Sequence, residues 1–289
     1  MERDRLYLIL ALALLLLAVL IALYPIISNL YAEKHASEIR TEYFEKLEEL
    51  DSGYLLEERK KAENYNSLLA EGISQSFSDE QLNAAYTDYN SILNVNGDGI
   101  MGYVEIPALD INLPIYHGTD ADTLERGIGH VIGSSLPVGG ESSHAAISGH
   151  SGMASEKMFS DLDKLQTGDV FYICCLGDTL AYEVDSINTV LPTEAELLEI
   201  EQGKDYVTLI TCTPFGVNTH RLLVRGSRIA YEEILDAEFE LLANTEPVKS
   251  TWMEEYIKGL ATGTSVLLAG LASVYGAKRL RGRLHGKKN

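Results

Sequence analysis

Thr208-Leu209-Ile210-Thr211-Cys212 is a strand-like run that ends in a thiol, and Thr213-Pro214-Phe215-Gly216 turns the chain directly after it. A cysteine at a strand end beside a turn is placed for exposure, and its thiolate is a strong nucleophile. Nine positions on, Arg221 opens a second run, Arg221 to Arg225, that can fold back antiparallel and bring its guanidinium near Cys212. Upstream, Ala145-Ala146-Ile147-Ser148 reads as a short strand delivering His150 into the turn Gly149-His150-Ser151-Gly152. A thiol, an imidazole and a guanidinium are the parts of a cysteine acyl-transfer site: a nucleophile, a proton carrier and a cation for the oxyanion.

The competing residues are few enough to weigh. His35 and His285 flank apolar segments, and His117, His130 and His144 sit in or beside short strands and turns, where hydrogen-bonded structural roles are usual. His220 precedes Arg221, and strand neighbours point to opposite faces. Arg225 and Arg228 lie farther from Cys212 along the second strand than Arg221 does. The other cysteines, Cys174 and Cys175, follow Val170-Phe171-Tyr172-Ile173 in one strand and read as small core residues, not as a disulfide. Asn94-x-Asn96-x-Asp98-Gly99 with Glu105 approaches a calcium-loop pattern, but Glu105 stands in a β run where that loop needs a helix, so a structural turn is expected. No metal or cofactor is expected.

Positioning these residues requires a β scaffold. Short β-type runs recur at Met101–Ile106, Ile111–Tyr116, Gly129–Gly133, His144–Ser148, Val170–Cys175, Leu180–Val190, Tyr206–Thr211 and Arg221–Ala230. Eight such runs with polar connections predict a closed barrel or a sandwich. Helical insertions are expected at Asp122–Arg126, Lys157–Leu165 and Glu194–Ile200. Ser28 to about Leu93 contains no proline and is rich in Glu, Leu, Ala and Tyr, which predicts helices broken at Glu71–Ser78, with Ser78 capping a helix from Asp79.

The chain has 289 residues and a formal charge of −20, which argues against nucleic acid as a partner. Leu6 to Ile27 carries no charge and is long enough to span a hydrocarbon core of about 30 Å. It exceeds the apolar core of a cleaved signal peptide and reads as an anchor. Gly259 to Ala277 is a second uncharged stretch, followed by a tail with six Lys or Arg and no acid. The positive-inside rule then predicts both termini in the cytoplasm and the acidic middle outside the cell.

The residues Thr208 to Cys212, Arg221 and His150 resemble the signature of the sortases, extracellular cysteine transpeptidases of Gram-positive bacteria. Gly102-Tyr103-Val104-Glu105-Ile106-Pro107, Leu113-Pro114-Ile115-Tyr116-His117-Gly118 and Asn218 to Gly226 are similar to the class C, pilus-building branch. The resemblance covers roughly residues 99 to 231. It implies a mostly β fold, an eight-stranded sortase-type barrel with short helical insertions, an N-terminal helical region before it and two transmembrane helices flanking it.

On that reading residues 1–5 are cytoplasmic, 6–27 span the membrane, and 28–98 form an extracellular helical or lid region. The catalytic barrel occupies 99–235, a linker 236–258, a second span 259–277 and a basic cytoplasmic tail 278–289.

The resemblance assigns Cys212 as nucleophile, His150 as proton carrier and Arg221 as oxyanion partner. Cys212 attacks the Thr–Gly bond of a Leu-Pro-x-Thr-Gly sorting signal, and a lysine of the next pilin resolves the thioester. Partners are therefore pilin or surface-protein substrates with sorting signals, and the cell membrane. A peptidoglycan amine as acceptor is the alternative within enzymes, and a catalytically silent scaffold module the alternative outside them. Class C members also carry a lid with an Asp-Pro-aromatic element. No proline lies between Pro25 and Pro107, so that element is absent here; Phe77, in the polar break Ser74–Ser78, is the candidate to cover Cys212, the alternative being an ordinary helix-packing residue.

Overall fold

Alternation gives each strand run one core-facing side, and the strands close into a barrel. The computed structural model describes residues 2–72, 89–151, 157–230, 256–266 and 269–270. The chain divides into two units, Met1–Ala22 with Ser250–Asn289, and Leu23–Lys249.

The second unit contains β1 (Ile100–Ile106), β2 (Ile111–His117), β3 (Ile128–His130), β4 (Ser143–Ser148), β5 (Val170–Cys175), β6 (Asp178–Val190), β7 (Asp205–Thr213) and β8 (His220–Ile229). They close in the order β1-β2-β3-β4-β7-β8-β6-β5. Closure removes the free edges that a sandwich would leave, and so resolves the two architectures that periodicity allowed. Val104, Ile106, Ile147, Phe171, Ile173, Val207, Leu209 and Val224 share one buried cluster, every second residue of their strands turning inward.

Two expected helical insertions are smaller than predicted. Only Leu162–Lys164 and Glu196–Leu198 form single 3-10 turns, whereas Ala121–Arg126 is an α-helix capped by the Asp120 carboxylate, which accepts from the Thr123 N–H at 3.1 Å. Between the turns the chain is held by local bonds such as Glu194 N–H to the Leu191 carbonyl, too few to nucleate a longer helix.

The N-terminal region is helical, with a break at Asp51 in addition to the one expected at Glu71–Ser78, where the second helix ends at Gly72. Helix α1 runs unbroken from Glu2 to Glu49 through Pro25, and α2 from Ser52 to Gly72. Asp51 ends one helix and starts the next: its carboxylate accepts from the Gly53 N–H at 2.9 Å, an N-cap the sequence reading passed over. The rest of the break expected at Glu71–Ser78, from residue 73 on, and the helix from Asp79 lie outside the described residues.

Polar side chains fasten the helices to backbone of the barrel and of the segment leading into it. The buried Tyr43 packs against Tyr103 at 5.4 Å between ring centroids and donates to the Met101 carbonyl. Asn66 of α2 accepts from the Leu136 N–H at 2.6 Å and donates back to its carbonyl at 3.0 Å. The buried Glu58 accepts from the Leu93 N–H and from Lys61. The calcium-like loop is a turn in which Asn94 Oδ1 accepts from Gly99 N–H and Asp98 Oδ1 from Ile100 N–H, while Glu105 lies in β1.

Among the described residues one helix, Ala13–Glu49 within α1, is long and apolar enough to cross a membrane. Leu14, Leu15, Leu16 and Leu17 are all exposed. Four successive residues turn through a full helical circumference, so this helix is apolar on every face. Of the second apolar segment, residues 259–266 and 269–270 are described, as helix. In the first unit the Tyr256 hydroxyl donates to the Ala22 carbonyl at 2.7 Å.

His130 is a fully buried imidazole. Its Nε2 lies 2.8 Å from the Ser135 carbonyl and its Nδ1 2.9 Å from the Tyr89 hydroxyl. The carbonyl can only accept, so Nε2 carries the proton and the neutral ring takes the Tyr89 O–H at Nδ1. Burial pushes its pKa down from 6.5 to about 4. Because the unfolded chain takes up this proton first, stability is full above pH 6.5 and falls as pH drops towards 4. A gap of that size corresponds to about 3 kcal/mol. Denaturant titrations between pH 7 and 4 are expected to show this loss, and His130→Gln to flatten it. An unchanged slope in the variant contradicts the assignment.

Candidate active site

Cys212 sits one residue before the end of β7, and its position is fixed by pairing on both sides. On one side β7 runs antiparallel to β8 with Cys212 directly opposite Arg221. Directly opposed residues project from the same face of a sheet with Cβ atoms about 5 Å apart, so thiol and guanidinium share a face. His220 is instead opposite Thr213. Since Val207 and Leu209 fill the barrel interior, the alternate set, Thr208, Ile210 and Cys212, belongs to the outer face.

On the other side β7 runs parallel to β4, with Ser148 opposite Ile210. The pairing continues past the end of β4 into the His150 turn. Gly149 N–H donates to the Ile210 carbonyl at 3.0 Å, the Thr211 hydroxyl donates to the Gly149 carbonyl at 2.8 Å, and the Ser151 hydroxyl donates to the Cys212 carbonyl at 2.8 Å. Phe159 N–H holds the His150 carbonyl from behind. These bonds bracket His150 and keep its backbone alongside Cys212. Sequence reasoning did not single out Thr211 or Ser151 as clamps. The signal available was a hydroxyl residue immediately beside each assigned residue.

His150, Cys212 and Arg221 are all partly buried, at the strand ends where reacting groups are reachable. Arg221 donates to the Asn218 and His220 carbonyls at 3.3 and 3.0 Å, contacts that orient its fork within the loop and use only one of its nitrogens. Phe215 and Val217, in the same loop, are exposed.

The competing residues are occupied elsewhere. Arg225 forms a two-pronged pair with Asp185, reaches Glu201 at 3.2 Å and covers the Tyr206 ring at 4.1 Å. Arg228 lies over the Tyr182 ring. His144 is held between the Thr208 hydroxyl at 2.7 Å and the Glu199 carbonyl at 2.9 Å, and burial lowers its pKa. His117 contacts the Gly99 and Ile92 carbonyls. Cys174 and Cys175 are buried free thiols. Burial raises the pKa of both, that of Cys175 to about 12, and Cys175 donates to the Met101 carbonyl. A thiol held in its protonated form is a poor nucleophile. Phe77 lies outside the described residues. Among the described residues no group of three or more His, Cys, Asp or Glu could hold a metal ion.

Next to the strand ends the outer face carries an apolar cluster, Ala146, Ile210 and Leu223, with Val131, Val190 and Leu198 packed against it. Val190 is the β6 residue opposite Arg221, so this cluster reaches the arginine.

The sortase domain family matches residues 104–229. Among solved structures, sortase C from Streptococcus pneumoniae is 42% identical with a TM-score of 0.60, the match covering 67% of this chain and 97% of that one. Sortase C from Clostridium perfringens, solved with the C-terminal cell wall sorting motif, is also 42% identical with a TM-score of 0.58, over 68% of this chain and 100% of that one. Among curated proteins, sortase D of Bacillus subtilis is 30% identical over 44% of this chain and 63% of its own length. The chain thus matches about three fifths of the length of the curated relative, and nearly all of the solved domains. The shared barrel and an identity of 42% across almost the whole of a solved sortase C establish that this chain belongs to the sortase family of cysteine transpeptidases, in its class C branch.

Proposed function

We propose that this protein is a membrane-anchored pilin polymerase in which Cys212, His150 and Arg221 carry out acyl transfer. The observation that carries the reading is the pairing of Cys212 opposite Arg221, with the His150 turn bonded to the same strand. Cys212 Sγ, as the thiolate, attacks the carbonyl carbon of Thr in a Leu-Pro-x-Thr-Gly signal. The oxyanion that forms is met by the Arg221 guanidinium, a fixed cation on the same face. His150 gives a proton to the departing glycine amine as the C–N bond breaks, leaving a thioester.

A lysine amine of the next pilin then loses its proton to His150 and attacks the thioester. An isopeptide bond forms, the C–S bond breaks, and the Cys212 thiolate returns. No external oxidant or energy source enters, because one acyl bond is exchanged for another.

The sorting signal is supported by the relative solved with such a motif, and the pilin substrate by the Streptococcus pneumoniae relative, described in terms of pilin substrate specificity. The partly exposed Val131, Val190 and Leu198, packed over the buried Ala146, Ile210 and Leu223, offer a surface for the Leu and Pro side chains of the signal.

The uniformly apolar part of α1 supports membrane anchoring. Tethering enzyme and pilins in one plane turns each encounter into a two-dimensional search at raised effective concentration. Together with the apolar segment 259–277 and its basic tail, we read a two-pass topology with both termini cytoplasmic and the barrel outside.

Cys212→Ala is expected to abolish the ladder of detergent-resistant pilin polymers on gels while leaving the thermal unfolding midpoint within a few degrees, since a partly exposed thiol contributes little packing. Arg221→Lys is expected to lower turnover by about 100-fold, because an ammonium does not reproduce the planar fork. Polymer ladders from Cys212→Ala contradict the reading. For the topology, reporter fusions at Leu235 and after Asn289 are expected to report opposite sides of the membrane. The same side for both excludes the second span.

A further inference from the structure

The outer face of the barrel carries a polar stack that the acyl-transfer steps do not use. His144 of β4 stands opposite Tyr206 of β7, is 1% exposed, and meets the Tyr206 ring edge-on at 5.5 Å between centroids. Arg225 of β8 covers the same ring at 4.1 Å and is fixed by its two-pronged pair with Asp185 of β6. Joined to this stack is the connection between β6 and β7, residues 191–204, nearly all of it exposed. It contains one 3-10 turn, Glu196–Leu198, and its last residues are tied beside β7, where Gly203 N–H donates to the Ser142 hydroxyl and Ser143 N–H to the Lys204 carbonyl.

The middle of the connection is gripped by side chains of the barrel. Leu198 packs on the buried Ala146, Ile210 and Leu223. The Glu199 carbonyl lies 2.9 Å from His144 Nδ1, and the Glu201 carboxylate accepts from Arg225 at 3.2 Å. A carbonyl only accepts, so Nδ1 carries the His144 proton, and Nε2 accepts from the Thr208 hydroxyl at 2.7 Å. Burial lowers the pKa of the ring and keeps this neutral form. Thr208 belongs to the strand that ends in Cys212. A bonded path therefore runs from the nucleophile's own strand, through the imidazole, to the residue next to Leu198. At about 3.3 Å per residue Thr208 lies about 13 Å along β7 from Cys212, so the stack acts on the connection and not on the reacting atoms.

We infer that His144 and Arg225 are positioning residues for recognition of the sorting signal: by holding Glu199 and Glu201 they keep Leu198 seated over Ile210, and so shape in advance the wall against which the signal's Leu and Pro are read. An exposed connection without these grips would sample other positions, and the signal would have to order it on binding. The inference rests on the reading that Cys212 cleaves a Leu-Pro-x-Thr-Gly signal.

The test uses the full chain purified in detergent and follows initial rates of cleavage of a Leu-Pro-x-Thr-Gly peptide, with hydroxylamine present to release the thioester. His144→Phe keeps an aromatic ring against Tyr206 and removes both polar contacts. Glu201→Ala removes an exposed carboxylate from the grip of Arg225 and leaves the core untouched, so it decides the matter if His144→Phe does not fold. KM is expected to rise about tenfold in His144→Phe and about threefold in Glu201→Ala, with kcat within about twofold of the wild type. His144→Asn, whose amide N–H takes the place of Nδ1–H, is expected to recover most of the loss. A second peptide with Ala in place of Leu is expected to show a smaller penalty in His144→Phe than in the wild type, because a wall that is no longer held reads that side chain less well. Unchanged KM values, an equal penalty for the Ala peptide in both proteins, or an effect confined to kcat or to the unfolding midpoint overturns the inference. A wild type that cleaves the peptide beside variants that match it overturns this inference alone, whereas a wild type that does not cleave it overturns the acyl-transfer reading as well.

Discussion

The register of β7 is the constraint on which the site depends. This strand is hydrogen-bonded on both sides, parallel to β4 and antiparallel to β8, and its inward residues Val207 and Leu209 are locked in the barrel core. A slip of one residue would turn both out of the barrel core and send Cys212 to the other face, away from Arg221. The cost of exposing two core side chains is about 1.5–3 kcal/mol each. Packing in the interior therefore fixes where the thiol stands on the exterior. His150 belongs to the same constraint, because its turn is bonded to Ile210, Thr211 and Cys212 and not to an independent loop.

Closure of the barrel lets a short strand such as β3 and a parallel pair such as β4 and β7 be held without a covering layer on every face. The helical region adds a second attachment. Tyr43 and Asn66 direct polar atoms at barrel-domain backbone, and Glu58 at the Leu93 N–H ahead of β1, so α1 and α2 are fastened by directional bonds as well as by buried aromatic area.

Much of this was legible in the residues. The eight strand runs, the hairpin between Cys212 and Arg221, and the structural histidines His117, His130 and His144 all follow from local alternation and turn chemistry. So does the burial of Cys174 and Cys175. Barrel closure was not legible from periodicity, because alternation reports which residues face inward and not whether the first and last strands meet; the resemblance supplied that. The insertions at 157–165 and 194–200 were overextended because apolar spacing there serves packing on the barrel, not helix formation. The Asp51 cap was legible but passed over: Asp51-Ser52-Gly53 is a cluster of poor helix formers inside a run otherwise rich in Glu, Leu and Lys. The clamps at Thr211 and Ser151 depend on two strands distant in sequence lying side by side, which no single segment reveals.

The central claim is that Cys212 becomes acylated through its alignment with Arg221 and the His150 turn. The most direct measurement is intact-protein mass spectrometry of the full chain after mixing with a Leu-Pro-x-Thr-Gly peptide in the absence of an acceptor amine, followed by peptide mapping. The account predicts an adduct equal to the peptide up to and including Thr, located on Cys212 and released by hydroxylamine, as a thioester requires. No adduct, or one carried by Cys174 or Cys175, would contradict it.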